Sequence, residues 1–544
     1  MKLFLNLARA LFTIAILLAI AAQLSFDTLA AALHHPLSFT TDAHARLQTF
    51  SRVIALLSIA FIYISFHFEQ ALIAALNRYK TLLGSDFKAS RQELNAYLKK
   101  ERTHLLALIA ITLLGAALRA FYINTEIKYD EAANYILFAD RPFVSIFTIY
   151  TMPNNHILHT VFMRLSLLIF GNSEVALRLP AYFAGVLCIP VTYFLTRALF
   201  ATEVVAFIAT LGVSISTQLV EYSVSSRGYA LQCLFTLVSF LFLVRLLKNK
   251  RLLDTLIAGT ALGLGFVAHP AMLFAAFTMG FWILFTEKLQ LKTIVLPLLI
   301  GIAVTILGYL PAALTVGAHY IYKNPTVAPQ SWSSFFQELP AFLKELYLRW
   351  SFGHFPAIPY VIGAILIVGA LKFRKVSKHK MPHSVPLLFG FSLCLFLTHK
   401  IPPIRTVIGI APLFIIAFAE AASALFLNSQ KILRGMAIFC TVFLTVGLFS
   451  LNRIPELALF PESTTLVGIS KTARQLAETV KPNDRIVLPF PDDILLHYYF
   501  SKRYGGNPNQ LLTHVPNQTV GNGRIFVIRQ SKPPIVIELP NTQR

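Results

Sequence analysis

Apolar runs of roughly bilayer-spanning length, separated by short polar segments, recur from the N-terminus to about residue 450. A helix that crosses a bilayer needs about 20 mostly apolar residues, whereas a β-barrel strand shows about ten residues of alternation. The first pattern is present and the second is not. It predicts a polytopic α-helical membrane protein of about thirteen spans, near 10–33, 53–76, 104–122, 176–198, 203–220, 229–246, 252–268, 271–286, 293–315, 356–373, 384–399, 403–426 and 432–450. The run 156–170 is apolar but short, and Arg164 interrupts it. It reads as an interfacial helix, which makes 123–175 one large outer loop; a second outer loop covers 316–355. From about Leu451 the texture changes. Ser463 to Val480 has amphipathic helical spacing, Pro482-Asn-Asp484 is a turn signal, and 485–489, 524–528 and 535–539 have strand composition, with a short helix expected over 492–500.

Composition sharpens this picture. Of 544 residues, 56% are hydrophobic and 13% are charged, against about 25% charged in soluble domains. Soluble globular and disordered chains are thereby excluded. The net charge of +22 would suggest nucleic acid in a soluble protein. Here the Lys and Arg residues crowd the short loops on one side, and no basic stripe carries interleaved aromatics, so no nucleic-acid partner is expected. The same bias predicts a cytoplasmic N-terminus and an extracytoplasmic C-terminal domain in a plasma (inner) membrane. If 156–170 crossed, the basic clusters at Lys248–Arg251 and Lys372–Lys380 would face outward. Lys2, Arg9 and the apolar stretch to Ala22 resemble a signal peptide, but the run continues to about Ala32, so an uncleaved first span is expected. Cys188, Cys233, Cys394 and Cys440 all lie within apolar runs and read as packing residues. Three units result: 1–103, two spans and a basic cytoplasmic connection; 104–450, the main transmembrane unit; and 451–544, a small extracytoplasmic α/β domain.

Chemistry concentrates in the loop 123–175. It opens on Lys128-Tyr129-Asp130-Glu131, directly after a span. Carboxylates at a membrane surface are costly unless solvated, paired or used. Either could act as a general base; equally, both could charge the first turn of a following helix. His156 and His159 share a helical face, which suits a metal, although no third ligand is evident, or hydrogen bonding to a phosphate. Arg227 lies where a span meets the outer interface, and the turn His399-Lys400-Ile-Pro-Pro-Ile-Arg405 adds two more cations. Each could snorkel or hold a phosphate.

Taken together, Asp130-Glu131, Asn155-His156-Ile-Leu158, Phe170-Gly171-Asn-Ser-Glu174, Arg178-Leu-Pro180 and Ser226-Arg227-Gly-Tyr229 resemble the GT-C glycosyltransferases. The branch most similar is the bacterial one related to protein O-mannosyltransferases and lipid A aminoarabinose transferases, and the likeness is clearest over 104–250. The resemblance implies a polyprenyl-phosphate sugar as donor, an extracytoplasmic protein, lipid or glycan as acceptor, and surrounding membrane lipids as partners. It implies Asp130 as catalytic base, with Glu131 beside it, and Asn155, His156, Arg227 and Tyr229 as substrate-binding residues; Lys400 and Arg405 join them by location. Three features depart from the family: two extra N-terminal spans, Asn-His-Ile-Leu in place of His-Pro-Pro-Leu, and no second Asp at 225–229. The last favours a metal-independent reaction, with a divalent metal as the alternative, and no other cofactor is expected. A transporter or flippase would instead show paired halves with broken helices and mid-span charges. Only Glu420 approaches that mark. A surface-glycan polymerase or ligase would take an oligosaccharide diphosphate.

Overall fold

In the computed structural model the described residues are 1–23, 41–150, 155–200, 202–286, 291–322, 328–352, 355–376, 382–426, 442, 445–447, 468–488, 493–513, 524–529 and 535–538. The helices are α1 (Lys2–Ala21), α2 (Thr41–His67), α3 (Glu69–Lys100), α4 (Arg102–Tyr122), α5 (Tyr129–Asn134), α6 (Phe143–Thr148), α7 (Ile157–Phe170), α8 (Glu174–Phe200), α9 (Glu203–Ile215), α10 (Thr217–Ser223), α11 (Tyr229–Asn249), α12 (Leu252–Ala268), α13 (Met272–Thr286), α14 (Leu291–Ala312), α15 (His319–Tyr322), α16 (Trp332–Trp350), α17 (Ile358–Val376), α18 (Ser384–Thr398), α19 (Ala411–Phe426), α20 (Ile469–Thr479) and α21 (Asp493–Leu496).

Among the described residues, seven helices are long and apolar enough to cross a bilayer, and the bent pair α9–α10 makes an eighth. Four further predicted spans fall on the shorter apolar helices α12, α13, α17 and α18. Most of the run 432–450, Cys440 included, lies outside the described residues. Among the described residues, length and apolarity by themselves thus mark up to eight crossings, and the other predicted spans fall on shorter apolar helices or mostly outside the described residues. Helix α7 has fourteen residues, about 21 Å of helix against a hydrocarbon core of about 30 Å. One face is buried through Ile157, His159, Thr160, Met163 and Ser166. The opposite face exposes Phe162, Leu165, Leu168 and Ile169.

The main core lies where α8, α9, α11, α13, α18 and α19 meet. It is filled by Ile189, Leu237, Phe240, Trp282 and Ile416, each no more than 1% exposed. Glu420 on α19 is 2% exposed. Its carboxylate accepts the backbone N–H of His383 (3.0 Å) and Ser384 (2.6 Å). It thus caps the start of α18 from a neighbouring helix, satisfying donors that have no partner within that helix. The mid-span charge singled out in the sequence is structural.

The C-terminal segment forms a four-stranded sheet in the order β2-β1-β3-β4: β1 (Arg485–Val487), β2 (Leu511–Leu512), β3 (Ile525–Arg529) and β4 (Ile535–Glu538). β1 pairs in parallel with β2 and β3, and β3 pairs antiparallel with β4. The three predicted strands are present. β2 is too short to leave a pattern. Its core is continuous with the loop after α4: Ile469, Leu476, Leu496 and Tyr499 pack in one cluster with Ile127, Ala132 and Met163. Polar contacts reinforce this. Glu126 accepts from the N–H of Gly468 (2.8 Å) and Ser470 (3.1 Å) at the start of α20. Tyr499 Oη accepts from Ile127 N–H (2.9 Å), and Lys502 pairs with Asp140 (2.7 Å). The segment that carries Asp130 is therefore built against the terminal domain.

Candidate active site

Lys128 precedes the first turn of α5. Its backbone N–H donates to Glu131 Oε2 at 2.8 Å, the N3-carboxylate half of a capping box. Glu131 is 1% exposed. Arg178 on α8 donates Nε–H and Nη2–H to its two oxygens at 2.9 and 2.7 Å, and Ser226 N–H adds a bond of 2.7 Å. Burial by itself would raise the pKa of this carboxyl. The Arg178 charge and the two backbone donors overcome that and hold it at about 2. The remaining Arg178 donors meet the carbonyls of Ile123, Thr125 and Glu126. Glu131, grouped with Asp130 as catalytic on sequence grounds, is instead a fixed anion that ties α5, α8 and the 225–227 turn together. It has no free lone pair aimed at solvent and no room to trade a proton.

Asp130 precedes it by one residue, about 100° around the helix, and so faces the other way. Its side chain is 19% exposed. Oδ2 lies 3.2 Å from Arg227 Nη1 and 3.6 Å from Arg405 Nη2. Arg227 comes from the turn before α11, and Arg405 opens a 3₁₀ turn, Ile404–Ile410, that leads into α19. Two cations from distant parts of the chain thus converge on one partly open carboxylate.

The placement of Arg227 follows from a break in the fold. α9 and α10 meet at 55°, which leaves carbonyls at the end of α9 without helical partners. Arg119, wholly buried on α4, fills that gap. It donates to the carbonyls of Val213 (3.2 Å) and Ser214 (3.0 Å) and to Ser223 Oγ (3.1 Å). A Cβ at Gly185 would lie 1.9 Å from Ser223 Oγ, so glycine is required for this approach. Lys128 Nζ pairs with Glu221 at 2.7 Å and links α10 to the Asp130 loop.

Arg227 Nε–H then donates to His156 Nε2 at 2.9 Å, while His156 Nδ1 lies 3.1 Å from the Ala268 carbonyl. The carbonyl can only accept, so Nδ1 carries the proton and Nε2 receives the arginine. Burial, with Arg227 beside it, pushes the His156 pKa well below its ordinary value, so the ring is neutral. A Cβ at Gly228 would stand 2.2 Å from the Ala268 oxygen, which accounts for glycine after Arg227. Tyr229 lies beneath, its Oη 3.5 Å from Arg227 Nη2.

Asn155, His156 and Tyr229, expected as substrate contacts, are 1–2% exposed and form a layer behind Asp130 and the arginines. Asn155 donates its amide to the carbonyls of Ile146 and Ile149, both at 2.8 Å. His159 is 0% exposed, and among the described residues no group of three His, Cys, Asp or Glu is placed to hold a metal ion. Lys400 lies in the turn next to His399, whose Nδ1 is 2.7 Å from the Gln330 carbonyl; Ile401 N–H donates to the same glutamine's Oε1 at 2.6 Å. One residue at the site carried no signal of its own in the sequence, His269, which follows α12 and is 8% exposed. A histidine-proline pair ending an apolar run is the mark that could have found it.

Residues 154–313 match the family model described as dolichyl-phosphate-mannose-protein mannosyltransferase. The structure resembles ArnT from Cupriavidus metallidurans in the apo state: TM-score 0.50 at 11% identity, over 73% of this chain and 84% of that one. The chain has the GT-C fold. ArnT from the same organism bound to undecaprenyl phosphate gives a TM-score of 0.48 at 13% identity, with 73% and 84% covered. The archaeal oligosaccharyltransferase AglB from Archaeoglobus fulgidus, in complex with an inhibitory peptide and a dolichol-phosphate, gives 0.49 at 13% identity over 76% of this GT-C chain. The chain spans 65% of the length of that enzyme. No curated protein sequence matches it.

Proposed function

We propose that this GT-C protein is a membrane glycosyltransferase that moves a sugar from a polyprenyl-phosphate donor to an acceptor at the extracytoplasmic face. The observation that carries the reading is the convergence of Arg227 and Arg405 on Asp130 at the domain-bearing end of the bundle. The match to a family described by a dolichyl-phosphate-mannose donor supports the donor class. Arg227 and Arg405 hold the donor phosphate, with Lys400 supplying further positive charge from the same turn. Asp130, released from its two arginines by the arriving phosphate, takes the proton of the acceptor hydroxyl or amine. The acceptor atom bonds to the anomeric carbon. The carbon–oxygen bond to phosphate breaks with its electron pair on the departing oxygen, and single displacement inverts the anomeric carbon. The arginines stabilise the charge that develops there. Apolar spans accommodate the polyprenyl tail within the bilayer.

The test uses purified full-length protein in lipid nanodiscs with polyprenyl-monophosphate sugars and membrane extracts as acceptor source. Sugar transfer with stoichiometric release of polyprenyl phosphate is expected. Movement of labelled lipid between leaflets without release would indicate a flippase, and dependence on an oligosaccharide diphosphate would indicate a polymerase or ligase.

A further inference from the structure

His269 follows α12 at the point where Ala268 gives its carbonyl to His156. Its Nδ1 accepts the backbone N–H of Ala271 at 3.0 Å. An imidazole nitrogen that accepts carries no proton, so in the neutral ring the proton is on Nε2, on the side away from Ala271. The ring stacks on His156 at 4.9 Å between centroids and lies 5.2 Å from the ring of Tyr229. Both of those side chains touch Arg227. Burial and the nearby charges of Arg227 and Arg405 hold His269 at about 3. The ring is therefore a neutral donor near two permanent cations, and it brings direction without charge. Among the described residues no protein group accepts from Nε2.

Resting on the glycosyl-transfer reading above, we propose that the Nε2–H of His269 donates a hydrogen bond to the donor phosphate and stabilises it as it departs. The donor is a phosphodiester with one negative charge. When the bond to the anomeric carbon breaks, its electron pair stays on the phosphate, which leaves as a monoester with a second negative charge. The acceptor proton goes to Asp130. A fixed donor aimed at that oxygen interacts more strongly after cleavage than before, so it acts on turnover more than on donor capture. Arg227 and Arg405 supply attraction over distance; a single N–H on a rigid ring, packed between two others, adds a directional contact.

His269→Phe keeps a stacking ring and loses the N–H, whereas His269→Gln loses the ring and keeps an N–H at a similar reach. Turnover and equilibrium binding of undecaprenyl phosphate are measured on full-length protein in nanodiscs. His269→Phe is expected to lower kcat by about 10²-fold, to change the donor KM by less than about threefold, and to weaken undecaprenyl phosphate binding about tenfold. His269→Gln should recover most of both losses. Wild-type kinetics and binding in the Phe variant would overturn the assignment, as would a Gln variant as impaired as the Phe variant, since that pattern belongs to a packing residue. The function itself fails separately, if the unmodified protein neither binds nor releases undecaprenyl phosphate.

Discussion

On the proposed reading Asp130 has two electrostatic roles at once, and one substitution removes both with opposite effects on binding and turnover. In the structure its carboxylate occupies the space between Arg227 and Arg405, at 3.2 and 3.6 Å. A phosphate held by the same guanidinium groups would sit about 6 Å away, where two unit charges repel by about 0.7–3 kcal/mol for effective dielectric constants from bulk water down to about 20. The side chain is 19% exposed, which places the value in the lower part of that range. Asp130→Asn removes the repulsion and the base together while keeping the shape. Affinity for undecaprenyl phosphate should therefore rise about three- to tenfold, while kcat falls by about 10²–10⁴-fold. The two numbers move in opposite directions, which neither misfolding nor loss of a binding contact produces. Equilibrium lipid binding in nanodiscs and single-turnover transfer are the assays. Turnover within threefold of wild type would refute Asp130 as the base. Weaker phosphate binding in a folded variant would refute the arrangement in which carboxylate and phosphate compete for the arginines.

Arg227→Ala should cost about 2–5 kcal/mol in donor-dependent turnover, because the contact is nearly buried. Arg227→Lys should also lose more than tenfold, since an ammonium cannot donate to His156 and phosphate in the same fork; parity of Lys with Arg in steady-state kinetics would reduce Arg227 to a point charge. Glu131→Gln leaves Arg178 buried without its counter-ion and should destabilise the loop by about 3–5 kcal/mol, read as earlier thermal unfolding and faster proteolysis of the terminal domain. In the unmodified protein the Glu131 pKa is lowered, so its stabilisation is complete above its ordinary value of 4.5 and is lost as pH falls toward about 2. The Gln variant should lack that acid-dependent step. Cysteine labelling at Lys88 on α3 and at Arg474 on α20, both on the surface, tests the orientation: Arg474→Cys should react from outside and Lys88→Cys only after permeabilisation, and the reverse pattern would invert the topology.

What the sequence determined by itself is whatever depends on a local run of residues. Span positions, the shortness of 156–170 and the strands around Ile486, Phe526 and Val536 follow from hydropathy and periodicity within a window, because each helix or strand must bury its own apolar face. Asp130, Arg227 and Arg405 were legible as scarce charges at span ends, since a charge near a bilayer must be paired, solvated or used. Tertiary structure decided how those charges are shared out. Asp130 and Glu131 are adjacent in the chain and equivalent in composition; a turn of about 100° sends one to the open side and the other into Arg178. Glu420 looked like a mid-span functional charge until α18 supplied two backbone donors for it. Arg119 at a break in another helix, Arg405 against Asp130 and His269 beside His156 rest on contacts between residues from 94 to 275 positions apart in the chain or on ring packing. No window of sequence holds both partners of such a contact, and a pairing energy exists only once the helices have brought them together.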